Sequence, residues 1–246
     1  MTDTQRNTPG QFSAELERDT TERVLGDRRH GMGHDLPPFD ESSWDERYRS
    51  RDSIWSGRPN PQLVTEVADL APGTALDVGC GEGGDAIWLA GQGWQVTGID
   101  FATTALRRAE AHADAAAVGD RVRWVHADLL TWVPETRFDL VSAQFMHLPN
   151  PERGVLAARL AAAVAPGGTL LIVGHDFSDV RTSAGRPNLP DLYYTADELA
   201  GALEADAWEI LAETRPRNAS DPEGKEITVR DTVLRARKRA SGTPGS

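Results

Sequence analysis

The stretch Thr74-Ala-Leu-Asp-Val-Gly-Cys-Gly-Glu-Gly-Gly84 constrains this chain more than any other. A short apolar run breaks into four glycines and passes straight into the helix-compatible run Ala86 to Ala90. Glycines carry no Cβ, so a ligand can lie against the backbone of such a strand-to-helix turn, facing the first N–H groups of the helix. The chain is therefore expected to build an α/β sheet with a nucleotide-type site at this turn. The glycines alone leave the ligand open. Gly79, Gly81 and Gly84 satisfy the dinucleotide pattern G-x-G-x-x-G, while Asp77, Gly79, Gly81 and Gly83 satisfy D-x-G-x-G-x-G.

A length of 246 residues suits one α/β domain and would cramp two. With 38 acidic and 26 basic residues the net charge is -12, and the basic residues are scattered except at Arg235-Ala-Arg-Lys-Arg239. That disfavours nucleic acid or an acidic membrane as partner and leaves a small molecule. The one cysteine, Cys80, has no internal disulfide partner. Its place between two glycines suits a small space-filling residue better than a reactive thiol. No leader or long apolar run is visible, so a cytoplasmic protein is expected. The pattern does not address oligomeric state.

Residues 1–38 are polar and aperiodic and read as a disordered tail. Its His30, His34 and Asp35 lack the preorganised set of a metal site, so no metal is expected. The domain is placed at 39–240, with a short tail at 241–246. Ser42 or Ser43 can cap a short helix that sets Trp44 and Tyr48 on one face. Asn60-Pro61 starts the next helix, carrying Leu63, Val64, Val67 and Leu70. Strands follow at 94–99, 122–126, 138–143 and 169–173, then strand-like runs at 208–212 and 227–234. Asp100 stands 17 positions after Gly83, near the spacing at which a carboxylate meets ribose hydroxyls. Thr103 or Thr104 is placed to cap the helix after it, and Phe101 beside it suits the face of an adenine ring. His147 and His175 fall at the ends of the fourth and fifth strands, where ligands of open α/β sheets collect. Each can touch an acceptor or simply bond a backbone carbonyl.

The acid before G-x-G-x-G, the acids Asp100 and Asp128 at the next two strand ends, Ala165-Pro-Gly-Gly168 and the terminal strand pair together resemble the class I (Rossmann-like) S-adenosylmethionine-dependent methyltransferases. The segment Trp44 to Asn60 is similar to that of the small-molecule branch with tellurite-resistance and thiopurine-type enzymes. The resemblance implies a doubly wound α/β fold with seven strands in the order 3-2-1-4-5-7-6, the last antiparallel. It implies S-adenosylmethionine as cofactor and S-adenosylhomocysteine as product. By that resemblance Asp77, Gly79, Cys80 and Gly81 belong to the cofactor loop. Asp100 and Phe101 hold ribose and adenine, and Asp128 and the Leu129 N–H read the adenine edge. The Gln144 backbone holds the methionine amino group. Residues 39–60 form a lid in which Trp44 and Tyr48 either touch the cofactor or anchor the helix. His147 and His175 are the catalytic candidates. The acceptor implied is a small thiol or other soft nucleophile. O- or N-methylation of a secondary metabolite stays open, and an NAD-dependent oxidoreductase or a silent cofactor-binding protein remain as rivals.

Overall fold

A computed structural model of the chain describes residues 39–181, 189–220 and 224–240. The tails read at 1–38 and 241–246, with His30, His34 and Asp35, lie outside the described residues. Seven strands form one sheet: β1 Thr74–Val78, β2 Gln95–Asp100, β3 Val122–His126, β4 Phe138–Gln144, β5 Val164–His175, β6 Trp208–Ser220 and β7 Glu226–Lys238. Their order is β3-β2-β1-β4-β5-β7-β6. The first five run parallel, and β7 is antiparallel to β5 and β6. Order and reversed strand agree with what the resemblance implies.

The central strands are apolar on both sides because both sides are covered. On one face α2 (Pro61–Glu66) and α3 (Gly84–Gly91) bring Leu63, Ala86 and Leu89 onto Ala75, Leu140 and Leu171. On the other, α5 (Glu152–Ala163) and α6 (Ala196–Ala200) bring Leu156, Leu160 and Leu199 onto Leu76, Val141 and Leu170. A third cluster joins Tyr48 and Ile54 to Ala102 and Ala105, between α1 (Glu41–Arg49) and α4 (Thr103–Ala115). Among the described residues, no helix is long and apolar enough to cross a membrane.

Several local readings shift. The cap of α1 is Asp40, not Ser42 or Ser43: its carboxylate accepts the Ser43 N–H at 2.8 Å and the Ser42 hydroxyl at 2.7 Å. The helix after Asn60 stops at Glu66, and a tight turn with Leu70 N–H on Val67 O finishes the expected stripe. Neither Thr103 nor Thr104 caps α4. Asp45 of α1 does so from outside, accepting the Thr104 N–H at 2.7 Å, so one helix lends its carboxylate to another. The terminal strands are longer than their apolar runs. Each has 13 residues, because they satisfy each other's backbone groups beyond the end of β5. β5 itself pairs only with Asp231 to Arg237 of β7. Where the ribbon leaves β5 it is tied to α2: Asp231 accepts from Gln62 at 3.2 Å and from Arg217 at 2.8 Å, and Arg215 pairs with buried Glu66.

Asp45→Ala should cost about 1 kcal/mol of unfolding free energy in chemical denaturation, the usual value of a lost cap. Asp45→Asn should restore most of it, since an amide oxygen still accepts the Thr104 N–H.

Candidate active site

The loop after β1 is shaped by backbone that needs glycine. Gly79 and Gly81 have φ of +69° and +52°, a region costly for other residues. Space is equally short, since a Cβ would meet Met146 Sδ at 2.3 Å on Gly79 and the Tyr48 hydroxyl at 2.9 Å on Gly81. Two N–H groups, of Gly79 and Cys80, bond Ile99 O at 2.8 and 3.1 Å, folding the loop onto β2. Asp100 completes the join: its carboxylate accepts the Gly81 N–H at 2.9 Å and the Ala102 N–H at 2.8 Å. Burial raises its carboxyl above the usual range, against those hydrogen bonds.

Asp77 lies at the heart of the sheet, 2 % exposed. Its Oδ2 is buried with no hydrogen-bond partner, and burial followed by the charge of Asp85 drives its carboxyl well up. Asp85, in the first turn of α3, accepts the Asn60 N–H at 2.6 Å and is pushed by burial to about 6. Gln144 ends β4, the strand beside β1. Its Nε2 donates to the Ser142 hydroxyl at 2.8 Å, and its Oε1 is buried without a partner. Two unmatched acceptors thus sit on neighbouring strands. Such groups are costly unless something donates to them.

The other sequence candidates distribute around this edge. The Tyr48 hydroxyl accepts the Trp55 Nε1–H at 2.9 Å, and both rings stand over Gly81. Trp44 packs on Tyr48 at 6.2 Å between centroids and carries Arg47 over its face. Phe101 is half-buried, its carbonyl accepting His126 Nε2 at 2.9 Å. Leu129 is buried, while Asp128 is exposed and accepts the Leu130 N–H at 2.8 Å. Cys80 is buried, its thiol pushed well up by burial, as a filler rather than a nucleophile.

At the ends of β4 and β5 a cluster of rings forms a second wall. His175 lies 4.3 Å from Phe145 and 5.0 Å from His147, and His147 also meets Tyr193 and Tyr194 at 5.8 and 5.7 Å. His147 Nδ1 bonds Leu192 O at 3.0 Å, and its Nε2 accepts the His175 N–H at 3.4 Å. A carbonyl only accepts and an N–H only donates, so those contacts define the neutral Nδ1–H tautomer. His147 therefore pins the segment before Tyr193 to the end of β5.

Sequence reasoning missed Glu82, Asp85 and Arg108. Glu82 is 3 % exposed, accepts the Ile54 and Trp55 N–H groups at 3.1 Å each, and pairs with Arg108 at 2.8 Å. An acid between glycines was the available signal, but its partners lie 26 to 28 positions away.

Residues 75–168 match the methyltransferase-domain family. The trans-aconitate 2-methyltransferase of Methylobacterium radiotolerans is 30% identical over 133 residues, 53% of this chain and 49% of that protein. Probable thiol methyltransferase 2 of Arabidopsis thaliana is 28% identical over 133 residues, 52% of this chain and 59% of its own length. The chain spans about half the length of the curated relatives it matches. A solved structure described as the conversion of a disulfide bond into a thioacetal group during echinomycin biosynthesis is 28% identical. It covers 82% of this chain and 94% of its own, with a TM-score of 0.66.

The raised carboxyl of Asp85 sets a sign for pH. A carboxyl lifted by burial contributes most when protonated, below its unfolded value near 4, and that contribution is lost as pH rises through about 6. In thermal denaturation without ligand, the midpoint of Asp85→Asn minus that of the parent should therefore increase from pH 4 to pH 7. A constant difference would remove the burial cause.

Proposed function

From the match of residues 75–168 to the methyltransferase-domain family we propose that the chain transfers a methyl group from S-adenosylmethionine to a small-molecule sulfur nucleophile. The observation that carries this reading is the pair of buried, unmatched acceptors, Asp77 Oδ2 and Gln144 Oε1, beside the glycine cradle. The ammonium group of such a cofactor would supply N–H donors to this edge, and its sulfonium a further positive charge beside the acceptors. Asp100 has the chemistry for a ribose diol at the end of β2, and Phe101 offers an apolar face next to it. Asp128 and the Leu129 N–H suit the adenine edge once Asp128 turns from its own Leu130 N–H. A dinucleotide would use the same glycines and Asp100, yet has no ammonium group to donate to the two unmatched acceptors.

When bound, S-adenosylmethionine supplies a methyl carbon that is already a strong electrophile. The chain's tasks are then to hold the acceptor in line behind that carbon, at about 3 Å, and to keep water out. The wall of Phe145, His147, His175, Tyr193 and Tyr194 suits both tasks for a soft, apolar acceptor. His147 supports the sulfur reading, because its ring contacts already define a neutral tautomer with Nε2 as an acceptor. A thiolate or thioether needs no base. The names of the Arabidopsis relative and of the thioacetal-forming structure point the same way. O- or N-methylation is the second reading. An alcohol or amine must lose a proton, and His175, in contact with Phe145 and His147, is the ring to take it.

The test is S-adenosylhomocysteine in calorimetry and labelled S-adenosylmethionine against panels of thiols, thioethers, phenols and amines. Binding with methyl transfer to sulfur is expected; protection by NADH with none by S-adenosylhomocysteine would overturn the cofactor, and transfer only to oxygen or nitrogen would overturn the acceptor. Asp100→Ala should weaken S-adenosylhomocysteine by about 1.5 to 3 kcal/mol, the value of lost charged hydrogen bonds. His175→Ala should leave turnover of a sulfur acceptor within about threefold of the parent; a loss on the order of a hundredfold or more, the range of a general base, would assign it that role.

A further inference from the structure

The chain from α1 to Trp55 lies across the glycine loop as a strap with a small core of its own, Tyr48 and Ile54 against Ala102 and Ala105. Its ends are fastened separately. Asp45 holds the Thr104 N–H, and Asp85 holds the Asn60 N–H. Between these ends a carboxylate of the loop holds the strap. Glu82 stands between Gly81 and Gly83, and its Oε2 accepts the Ile54 and Trp55 N–H groups at 3.1 Å and the Ser53 hydroxyl at 3.2 Å. Its Oε1 takes Arg108 at 2.8 Å, and the same guanidinium donates to Arg51 O. The whole assembly buries a charge, which is tolerable only while every partner is in place.

The strap covers what the loop would hold. The Tyr48 hydroxyl and the Trp55 indole N–H stand 2.9 and 3.1 Å from where a side chain on Gly81 would begin. A ligand resting on that glycine can arrive or leave only if these rings move. A segment with its own small cluster opens locally at lower free energy than the sheet beneath it.

We propose that Glu82, neutralised by Arg108, is the latch of this strap, a positioning residue whose hold on the Ile54 and Trp55 N–H groups sets how fast a ligand enters and leaves the glycine loop. The fastenings at Asp45 and Asp85 stay closed when the latch opens, so the segment swings as a flap hinged at both ends. The ligand part rests on the cofactor reading above; the latch itself does not.

Hydrogen exchange of the full chain at neutral pH, followed in peptides spanning 50–56, tests the latch without ligand. Glu82→Ala should lower protection there roughly tenfold or more, as expected for lost charged hydrogen bonds, while β1 and β4 peptides stay unchanged. Stopped-flow displacement of S-adenosylhomocysteine should show dissociation faster by roughly the same factor. Arg108→Met, which strips the neutralising charge and the tie to Arg51, should act in the same direction and serves if Glu82→Ala does not fold. Unchanged protection at 50–56 in either folded variant overturns the latch. Faster exchange with unchanged dissociation overturns its control of the ligand. A parent chain that binds no S-adenosylhomocysteine sinks the cofactor reading and the ligand part with it, while the exchange result still decides the latch.

Discussion

One buried carboxylate joins the parts on which the site depends. Asp100 sits at the end of β2 and takes the Gly81 N–H with one oxygen and the Ala102 N–H with the other. Those bonds fix the turn after β1 to the start of α4. Without an acceptor there, two N–H groups would be left unsatisfied inside the protein, at a cost of about 1 to 3 kcal/mol each. The carboxylate stays buried because both of its oxygens are occupied, and the loop keeps its left-handed glycines because that carboxylate holds it. A group expected to serve a ligand is thus also part of the frame that shapes the ligand's bed.

The architecture was legible because it rests on local signals. Alternating runs of strand and helix character, glycine and proline punctuation and the strand-end acids Asp77, Asp100 and Asp128 are all visible without long-range information. The capping box of α6 is equally local, with Thr195 and Glu198 three positions apart. Caps supplied from elsewhere were not legible. Asp45 serves Thr104 across 59 positions, and no local rule connects them. The same holds for Glu82, whose role is defined by N–H groups of a segment folded back onto it. Strand ends at β6 and β7 were also misjudged, because pairing rather than apolar content sets how far a hairpin runs.

Histidines show the boundary most clearly. His147 and His175 do fall just past the end of β4 and at the end of β5, where the strand order puts them. What each nitrogen faces depends on Leu192 O and on the backbone of His175 itself, which the residue types do not reveal. The ring wall likewise gathers Phe145, His147, His175, Tyr193 and Tyr194 from both sides of a long connection. Chemistry at such a wall is decided by orientation, and orientation belongs to tertiary structure.

The ribbon of β6 and β7 has a consequence for the order in which the molecule assembles. Gln62 meets Asp231 across 169 positions, and Glu66 meets Arg215 across 149. The helix that follows the strap is therefore clamped by strands synthesised long after it. Contacts of such separation must close a very long loop before they return any stability, so they form late. During synthesis the glycine loop and its first parallel neighbours can pair well before the ribbon exists. Only once β7 has left the ribosome can α2 gain both of these clamps.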